Sequence, residues 1–380
     1  MTWLPNMPIL PPATIGMLGG GQLGRYALIA ARVMGYRTMV LEPDPNAPAG
    51  KIADVHLVAE YDDPDALKRL GDECAVVTTE FENPPVAALE FLNRHTLVAP
   101  SPHAVGIAQD RIREKQFLGE QGFPIGPYAV VDTPDADPEI RYPAILKSTR
   151  LGYDGKGQRV VADASEMRAA WRLLGSVPCV LEQALVLQTE VSVVAARTAH
   201  GGFVAYPVAE NSHRHGILDL TVVPAYVSSR LADRAIGLAQ AIADSLAYVG
   251  VLAVEFFIVD GELLVNELAP RPHNSGHWTL DVAQTSQFEQ QIRAVCGLGL
   301  GDTSMTQVAA AMVNLLGDVW DDGEPAWERA WETPHSALHL YGKAGARPGR
   351  KMGHLTTWGE SREAAEVLAI DARAAISRRD

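Results

Sequence analysis

The first hundred residues alternate short, uniformly apolar runs with longer stretches of helical composition. The apolar runs fall at Thr14–Leu18, Arg37–Leu41, Ala75–Thr79 and Thr96–Ala99, and a glycine turn with a helical stretch to about Met34 separates the first two. This rhythm predicts βαβ units carrying a parallel sheet. Beyond about residue 114 the pattern changes. A helix over Glu114 to Gln121 ends at Gly122, and Pro124, Pro127, Pro134 and Pro138 punctuate the next stretch. Strand-like runs then come at Ala144–Lys147, Gln158–Val161, Val177–Leu181, Glu190–Ala196 and Phe203–Pro207. Leu231 to Leu246 is helical in composition, and Gly250 to Glu267 reads as two strands around Asp260-Gly261. Ser336–Tyr341 and His354–Thr357 predict a small β-rich terminal unit, closed by a helix near Glu360 to Ile376.

Two glycine loops interrupt this pattern. Gly19-Gly20-Gly21-Gln22-Leu23-Gly24 lies between a strand and a helix and fits GxGxxG, with Glu42 at the end of the next strand, where a ribose-binding acid would stand. Alone, it reads as a dinucleotide site of a dehydrogenase, or as a tight turn without a ligand. The second loop carries a stronger nucleotide signal. A strand ends in Lys147, glycines follow at Gly152, Gly155 and Gly157, and another strand begins at Gln158. Strand–loop–strand cannot be a Walker A element, which opens a helix onto the phosphate. It suits a hairpin lid over a triphosphate, with Lys147 supplying charge and glycine amides adding donors. Further on, Glu182-Gln183-Ala184-Leu185 could present backbone groups to an adenine edge, and Glu190 a carboxylate to ribose hydroxyls.

Glu255 and Glu267 stand in otherwise apolar strand sequences, and hard oxygen donors placed there suit Mg²⁺. Whether they meet depends on register. With a two-residue loop Asp260-Gly261, Glu255 faces Asn266; with a three-residue loop Asp260-Gly261-Glu262, it faces Glu267. The three-residue loop is the expectation. Arg271-Pro272-His273-Asn274-Ser275-Gly276-His277-Trp278-Thr279 is too rich in hydrogen-bonding side chains for an ordinary connection. His213/His215 and His335/His339 could be read as metal ligands, but the second pair lies in a strand pattern and lacks helical spacing. Lys343, Arg347, Arg350 and Lys351 form a basic cluster that is either a solvated loop or a clamp for an anionic substrate.

The chain is 380 residues long, 47% apolar and 21% charged, with a formal charge of −14. Packed cores in two or three domains are expected, and an acidic total argues against salt-driven nucleic-acid or anionic-membrane binding. The three cysteines show no metal or disulfide spacing, no membrane-spanning run occurs, and a proline-broken start without early basic residues argues against a secretory signal. A reducing, cytoplasmic setting is expected.

GGGQLGR, TTEFEN, LGYDGKGQ, LEQ, NELAPRPHNSGHWT and RPGRKMGH occur in this order across nearly the whole chain. Together they resemble the N5-carboxyaminoimidazole ribonucleotide synthase (PurK-type) family of the ATP-grasp superfamily. The resemblance implies an α/β (α+β overall) chain. It would have a Rossmann-like first domain over 1–112, an ATP-grasp domain over 113–300 with a lid subdomain at about 128–187, and a small β-rich domain over 301–380. It implies ATP- and bicarbonate-dependent carboxylation of 5-aminoimidazole ribonucleotide through carboxyphosphate, with Mg²⁺ (or Mn²⁺), in a homodimer. Arg111, Lys147 and Gly152 to Gln158, with Tyr153, Asp154 and Lys156, would contact ATP phosphates. Glu182, Gln183, Ala184 and Leu185 would hold adenine, Glu190 the ribose, and His213, Asn266 and Glu267 other parts of the nucleotide. Glu255 and Glu267 would be the metal ligands. Gln22, Leu23, Glu80, Asn274, Ser275, Lys343, Arg350 and Lys351 would surround the ribonucleotide, and Lys147, Tyr153, Asp154, Arg271, His273 and Lys343 would serve catalysis. Where no side chain acts as base, released phosphate takes the amine proton; Asp154 and His273 are the side-chain candidates. The competing readings are another ATP-grasp ligase using formate or biotin, the dehydrogenase, and a non-catalytic nucleotide sensor.

Overall fold

A computed structural model describes residues 7–133, 136, 138–150, 152 and 155–377. The first unit is a five-stranded parallel sheet of β1 (Thr14–Leu18), β2 (Arg37–Leu41), β3 (Val55–Leu57), β4 (Val76–Thr79) and β5 (Leu97–Val98), in the order β3-β2-β1-β4-β5. Alternate side chains serve opposite faces. Met17 and Val40 pack with Ala27 and Leu28 of the helix Gln22–Val33, while Leu18, Leu41 and Val77 pack with Leu67, Leu70 and Leu89 on the other side. Covering both faces is why these strands read as continuous apolar runs. Strand order reverses between β1 and β4, so the crevice above their carboxyl ends is the natural ligand position.

A separate antiparallel sheet follows, made of β6 (Tyr128–Val131), β7 (Ala144–Ser148), β8 (Gln158–Val161) and β9 (Cys179–Gln183), ordered β6-β9-β7-β8. It has its own core, in which Met167 and Trp171 of the helix Ala164–Leu173 cover Leu146, Val161 and Leu181. β7 and β8 form the expected hairpin, pairing Lys147 with Gln158.

The largest sheet holds β10 (Thr189–Arg197), β11 (Phe203–Ala205), β12 (Ala209–Arg214), β13 (Ile217–Val223), β14 (Gly250–Val259), β15 (Glu262–Ala269), β16 (Ala309–Leu316), β17 (Ser336–Leu340) and β18 (Lys351–Gly359). Its order is β15-β14-β10-β12-β13-β16-β18-β17, with β11 beside β10. The C-terminal strands thus continue the central sheet by antiparallel pairing of β13 with β16. The helix Ser229–Ser245 buries Leu231, Ala235 and Ile242 on one part of it, and Arg362–Ser377 buries Ala365, Ala369 and Ile376 on another.

The β14–β15 hairpin corrects the expected turn. Asp260 and Gly261 both take positive φ, 50° and 77°, and Val259 pairs with Glu262, so the loop has two residues. The register then shifts between Phe256 and Glu255: Phe256 pairs with Val265, but Glu255 pairs with Glu267. Asn266 is the extra residue of a β-bulge, and the bulge brings the two carboxylates opposite each other despite the shorter loop.

Candidate active site

At the first glycine loop, the protein's own acids fill part of the anion cradle. Gly20 N–H donates to Glu42 (2.7 Å), and Gly21 and Gly24 N–H donate to the two carboxylate oxygens of Glu80 (2.9 and 3.0 Å). Glu42 is further engaged by Asp44 N–H and by the Tyr61 hydroxyl, so it is not free to take a cofactor ribose. Burial pushes the Glu80 carboxyl up, against the two amides and the nearby charges of Lys343 and Arg271. The first-turn amides of Gln22 and Leu23, at the start of the helix Gln22–Val33, have no side-chain cap from Gly21 and are of the kind that takes an anionic group. The glycines admit the carboxylates. A Cβ on Gly20 would lie 2.5 Å from Glu42 Cγ and 2.7 Å from Ala47 Cβ. Gly20→Ala is therefore expected to lower stability by about 1–3 kcal/mol in urea unfolding, and an unchanged midpoint would show that the loop has slack.

Beneath the lid sheet lies a compact group of charges. Lys147, at the end of β7, donates to Glu182 of β9 at 2.6 Å, and Lys115 lies 3.6 Å from the other oxygen of the same carboxylate. Burial pushes the Glu182 carboxyl up, but Lys147 and Lys115 outweigh it and hold it at about 2. Arg111, at the first turn of the helix Arg111–Glu120, donates to Glu267 at 3.0 Å. Lys115 also donates to the carbonyl of Asn266 (2.9 Å), and Glu114 accepts from Leu268 N–H (2.6 Å); burial pushes the Glu114 carboxyl up to about 8. No sequence motif marks Lys115 or Glu114. The four-residue spacing of Arg111 and Lys115, which puts both on one helix face, is the signal that could have found the lysine.

The proposed nucleotide residues Glu190 and His213 meet, His213 Nδ1 lying 3.0 Å from the Glu190 carboxylate. Burial pulls His213 down, yet Glu190 outweighs it and raises its pKa. Gly155 and Gly157 lie in the β7–β8 connection, where Ser148 N–H donates to Gly157 O (2.8 Å), and Gln158 opens β8 opposite Lys147; Tyr153 and Asp154 lie outside the described residues. Gln183 N–H and Ala184 N–H donate to Pro127 O and Pro143 O, so these amides are used within the lid.

Glu255 is buried, and His273 Nε2 lies 3.2 Å from its carboxylate. Burial pushes Glu255 up, but the hydrogen bond to His273 together with the charges of His273, His213 and Lys351 outweighs it and lowers the carboxyl. Both nitrogens of His273 are engaged, Nε2 with Glu255 and Nδ1 with Ser275 (2.8 Å), which removes it as a free general base. The donor set fits a hard divalent cation: two carboxylates directly across a strand pair, and Asn266 Oδ1, buried and without a protein hydrogen-bond partner among the described residues. Asn274 is 6% exposed, and among the described residues neither of its side-chain polar atoms has a hydrogen-bond partner, as a ligand-facing amide would be. Arg271 pairs with Glu82, and burial lowers its pKa to about 10.

Of the basic cluster, Lys343 donates to Lys351 O (2.8 Å) and lies over the Tyr341 ring, and its charge reaches Glu80, while that of Lys351 reaches Glu255. These two lysines therefore face the crevice. Arg350 instead braces its own turn through the carbonyls of Ala344 and Gly345, which places it on the clamp's scaffold. Asp281, His339 and His354 gather nearby, but His339 and His354 stack at 4.5 Å with planes 15° apart. Their in-plane lone pairs run side by side, and the group reads as packing where three segments of the chain meet.

A nucleotide-scale charge cluster beneath a hairpin lid, beside paired carboxylates on a large antiparallel sheet, defines an ATP-grasp enzyme. The ATP-grasp domain profile matches residues 116–288, the ribonucleotide synthetase preATP-grasp domain matches 12–109, and the phosphoribosylaminoimidazole carboxylase C-terminal domain matches 310–367. The chain is 44% identical over 357 residues to the N5-carboxyaminoimidazole ribonucleotide synthase of Bacillus subtilis, covering 92% of both. Its structure superposes on an ADP complex of PurK with a TM-score of 0.91 at 40% identity, covering 97% of this chain and 98% of that one. It also matches the Aspergillus clavatus N5-carboxyaminoimidazole synthase in complex with ADP and 5-aminoimidazole ribonucleotide, with a TM-score of 0.87 at 29% identity over 95% and 98% of the two chains. The chain belongs to the N5-carboxyaminoimidazole ribonucleotide synthase family, and it is an ATP-using ligase.

Proposed function

We propose that the chain carboxylates the exocyclic amine of 5-aminoimidazole ribonucleotide with ATP and bicarbonate, releasing ADP and phosphate in de novo purine synthesis. The observation that carries the site assignment is the bulged pairing of Glu255 with Glu267 beside Arg111. Glu255, Glu267 and Asn266 would hold Mg²⁺ (or Mn²⁺), which when bound supplies charge neutralisation at the transferring phosphoryl group. Lys147 and Arg111 hold the β- and γ-phosphate oxygens, exchanging their present carboxylate partners for the nucleotide. A bicarbonate oxygen attacks the γ-phosphorus, ADP leaves, and the resulting carboxyphosphate breaks down to CO₂ and phosphate. The amine then attacks CO₂. With both nitrogens of His273 engaged, the phosphate just released takes the amine proton. The lid sheet keeps water from the intermediate. On the other side of the crevice, the amides of Gln22 and Leu23 take the ribonucleotide phosphate, and Asn274, Lys343 and Lys351 its remaining polar groups. The working form is a cytoplasmic homodimer of 40.9 kDa chains. A coupled ADP-release assay tests this: release should require aminoimidazole ribonucleotide and bicarbonate together. Stimulation by formate or biotin instead, NADH binding, or ATP binding without turnover would each replace the reading.

A further inference from the structure

A row of buried polar side chains runs across three strands to the Glu255 carboxylate. Thr221 of β13, Asn211 of β12 and Ser192 of β10 are 0%, 5% and 0% exposed. Thr221 Oγ1 lies 3.0 Å from Asn211 Oδ1, Asn211 Nδ2 lies 2.9 Å from Ser192 Oγ, and Ser192 Oγ lies 2.8 Å from Ser275 Oγ. Ser275 Oγ is 2.8 Å from His273 Nδ1, and His273 Nε2 is 3.2 Å from Glu255.

One backbone contact fixes the direction of every link. Ser275 N–H points at His273 Nδ1 (3.3 Å), and an amide can only donate, so Nδ1 accepts. The Ser275 hydroxyl therefore also donates to Nδ1. Having used its proton, it must accept from Ser192, which in turn must accept from the amide of Asn211. Asn211 Oδ1 is left to accept from Thr221. With Nδ1 an acceptor, a neutral ring carries its proton on Nε2 and donates it to Glu255.

We infer that Ser192, Asn211 and Thr221 are positioning residues: by directing the Ser275 hydroxyl proton onto Nδ1 they reinforce the Ser275 amide in holding His273 as the Nε2–H tautomer, which orients the Glu255 carboxylate for a divalent cation. This rests on Glu255 being a metal ligand, and it extends that ligand's support through His273 and Ser275 to side chains on three neighbouring strands. Outer partners that orient metal-ligating groups typically account for about 10- to 100-fold in metal affinity.

The test uses the full chain labelled with ¹⁵N-histidine, reading the His273 ring by long-range ¹H–¹⁵N correlation and assigning it by its loss in His273→Asn. Mn²⁺ binding in the presence of ADP is read in parallel by electron paramagnetic resonance. The wild-type ring should be protonated at Nε2. Asn211→Asp replaces the donor by an acceptor of the same shape; the Ser192 hydroxyl then turns toward the new carboxylate and the Ser275 hydroxyl toward Ser192, which leaves Nδ1 with the Ser275 amide alone, so the ring should lose part of its Nε2–H population to the Nδ1–H form. Mn²⁺ dissociation constants should rise about 10- to 100-fold in Asn211→Asp and about 10-fold in Ser192→Ala. A wild-type ring protonated at Nδ1 would overturn the inference, as would wild-type Mn²⁺ affinity in Ser192→Ala, which also decides the matter if Asn211→Asp does not fold. Glu255→Gln separates the two levels. If it binds Mn²⁺ normally, the metal assignment falls, while the tautomer and its response still decide the direction of the relay.

Discussion

Lys147→Ala is expected to reduce ADP release dependent on bicarbonate and aminoimidazole ribonucleotide by about 10²- to 10³-fold, the usual cost of deleting one preorganised charge donor at a developing anion. Lys147 is 8% exposed and 2.6 Å from Glu182, so it acts in a dry setting where its charge counts most. The same substitution leaves Glu182 with Lys115 alone, at 3.6 Å. Removing one partner of a buried pair costs about 3–5 kcal/mol, so urea unfolding should show a loss alongside the kinetic one. The acid limb provides a further check. Glu182 sits at about 2 in the folded protein against an ordinary 4.5, so its contribution is complete above 4.5 and is lost as pH falls toward 2. In Lys147→Ala this part of the acid-induced loss should shrink. An alanine variant that turns over ATP at the wild-type rate would remove Lys147 from the phosphate site.

Glu267→Gln should be nearly as severe, lowering kcat/KM for ATP by on the order of 10²-fold and shifting the Mg²⁺ saturation curve to higher concentration. The carboxylate has two roles, facing Glu255 across the bulge and accepting from Arg111. Glutamine keeps the shape and one acceptor but loses the charge. Steady-state ADP release titrated with Mg²⁺ separates these effects: a metal ligand moves the Mg²⁺ dependence, whereas a partner of Arg111 alone moves only the ATP dependence. An unchanged Mg²⁺ curve would leave Glu255 as the sole carboxylate candidate.

The hairpin shows how far the sequence can be read and where it stops. Alternation and the Asp260-Gly261 pair locate both strands and the turn, but within the sequence the facing of Glu255 and Glu267 is reached only through a three-residue loop. The real cause is a bulge at Asn266, for which Val265-Asn266-Glu267 carries no local signature. β15 is an edge strand, and distant groups take up its backbone: Val265 N–H donates to Pro124 O, Lys115 donates to Asn266 O, and Leu268 N–H donates to Glu114. A bulge stabilised by groups so remote in the chain is not legible from its neighbouring residues. The first glycine loop shows a related limit. Its pattern is common to dinucleotide sites, and what distinguishes it is the arrival of Glu80 from the carboxyl end of β4, a tertiary event. Parallel-strand periodicity, by contrast, is local and strong, and β1 and β2 fall where the apolar runs put them.

The joining of β13 to β16 has a consequence for how the chain is made. Leu220 to Val223 leave the ribosome long before Ala309 to Leu316, the segment that pairs with them. Until then the growing protein carries a bare strand edge, open to other nascent chains. The C-terminal segment therefore acts as the closing seam of the central sheet, and messages cut short near residue 300 would yield products with that seam open.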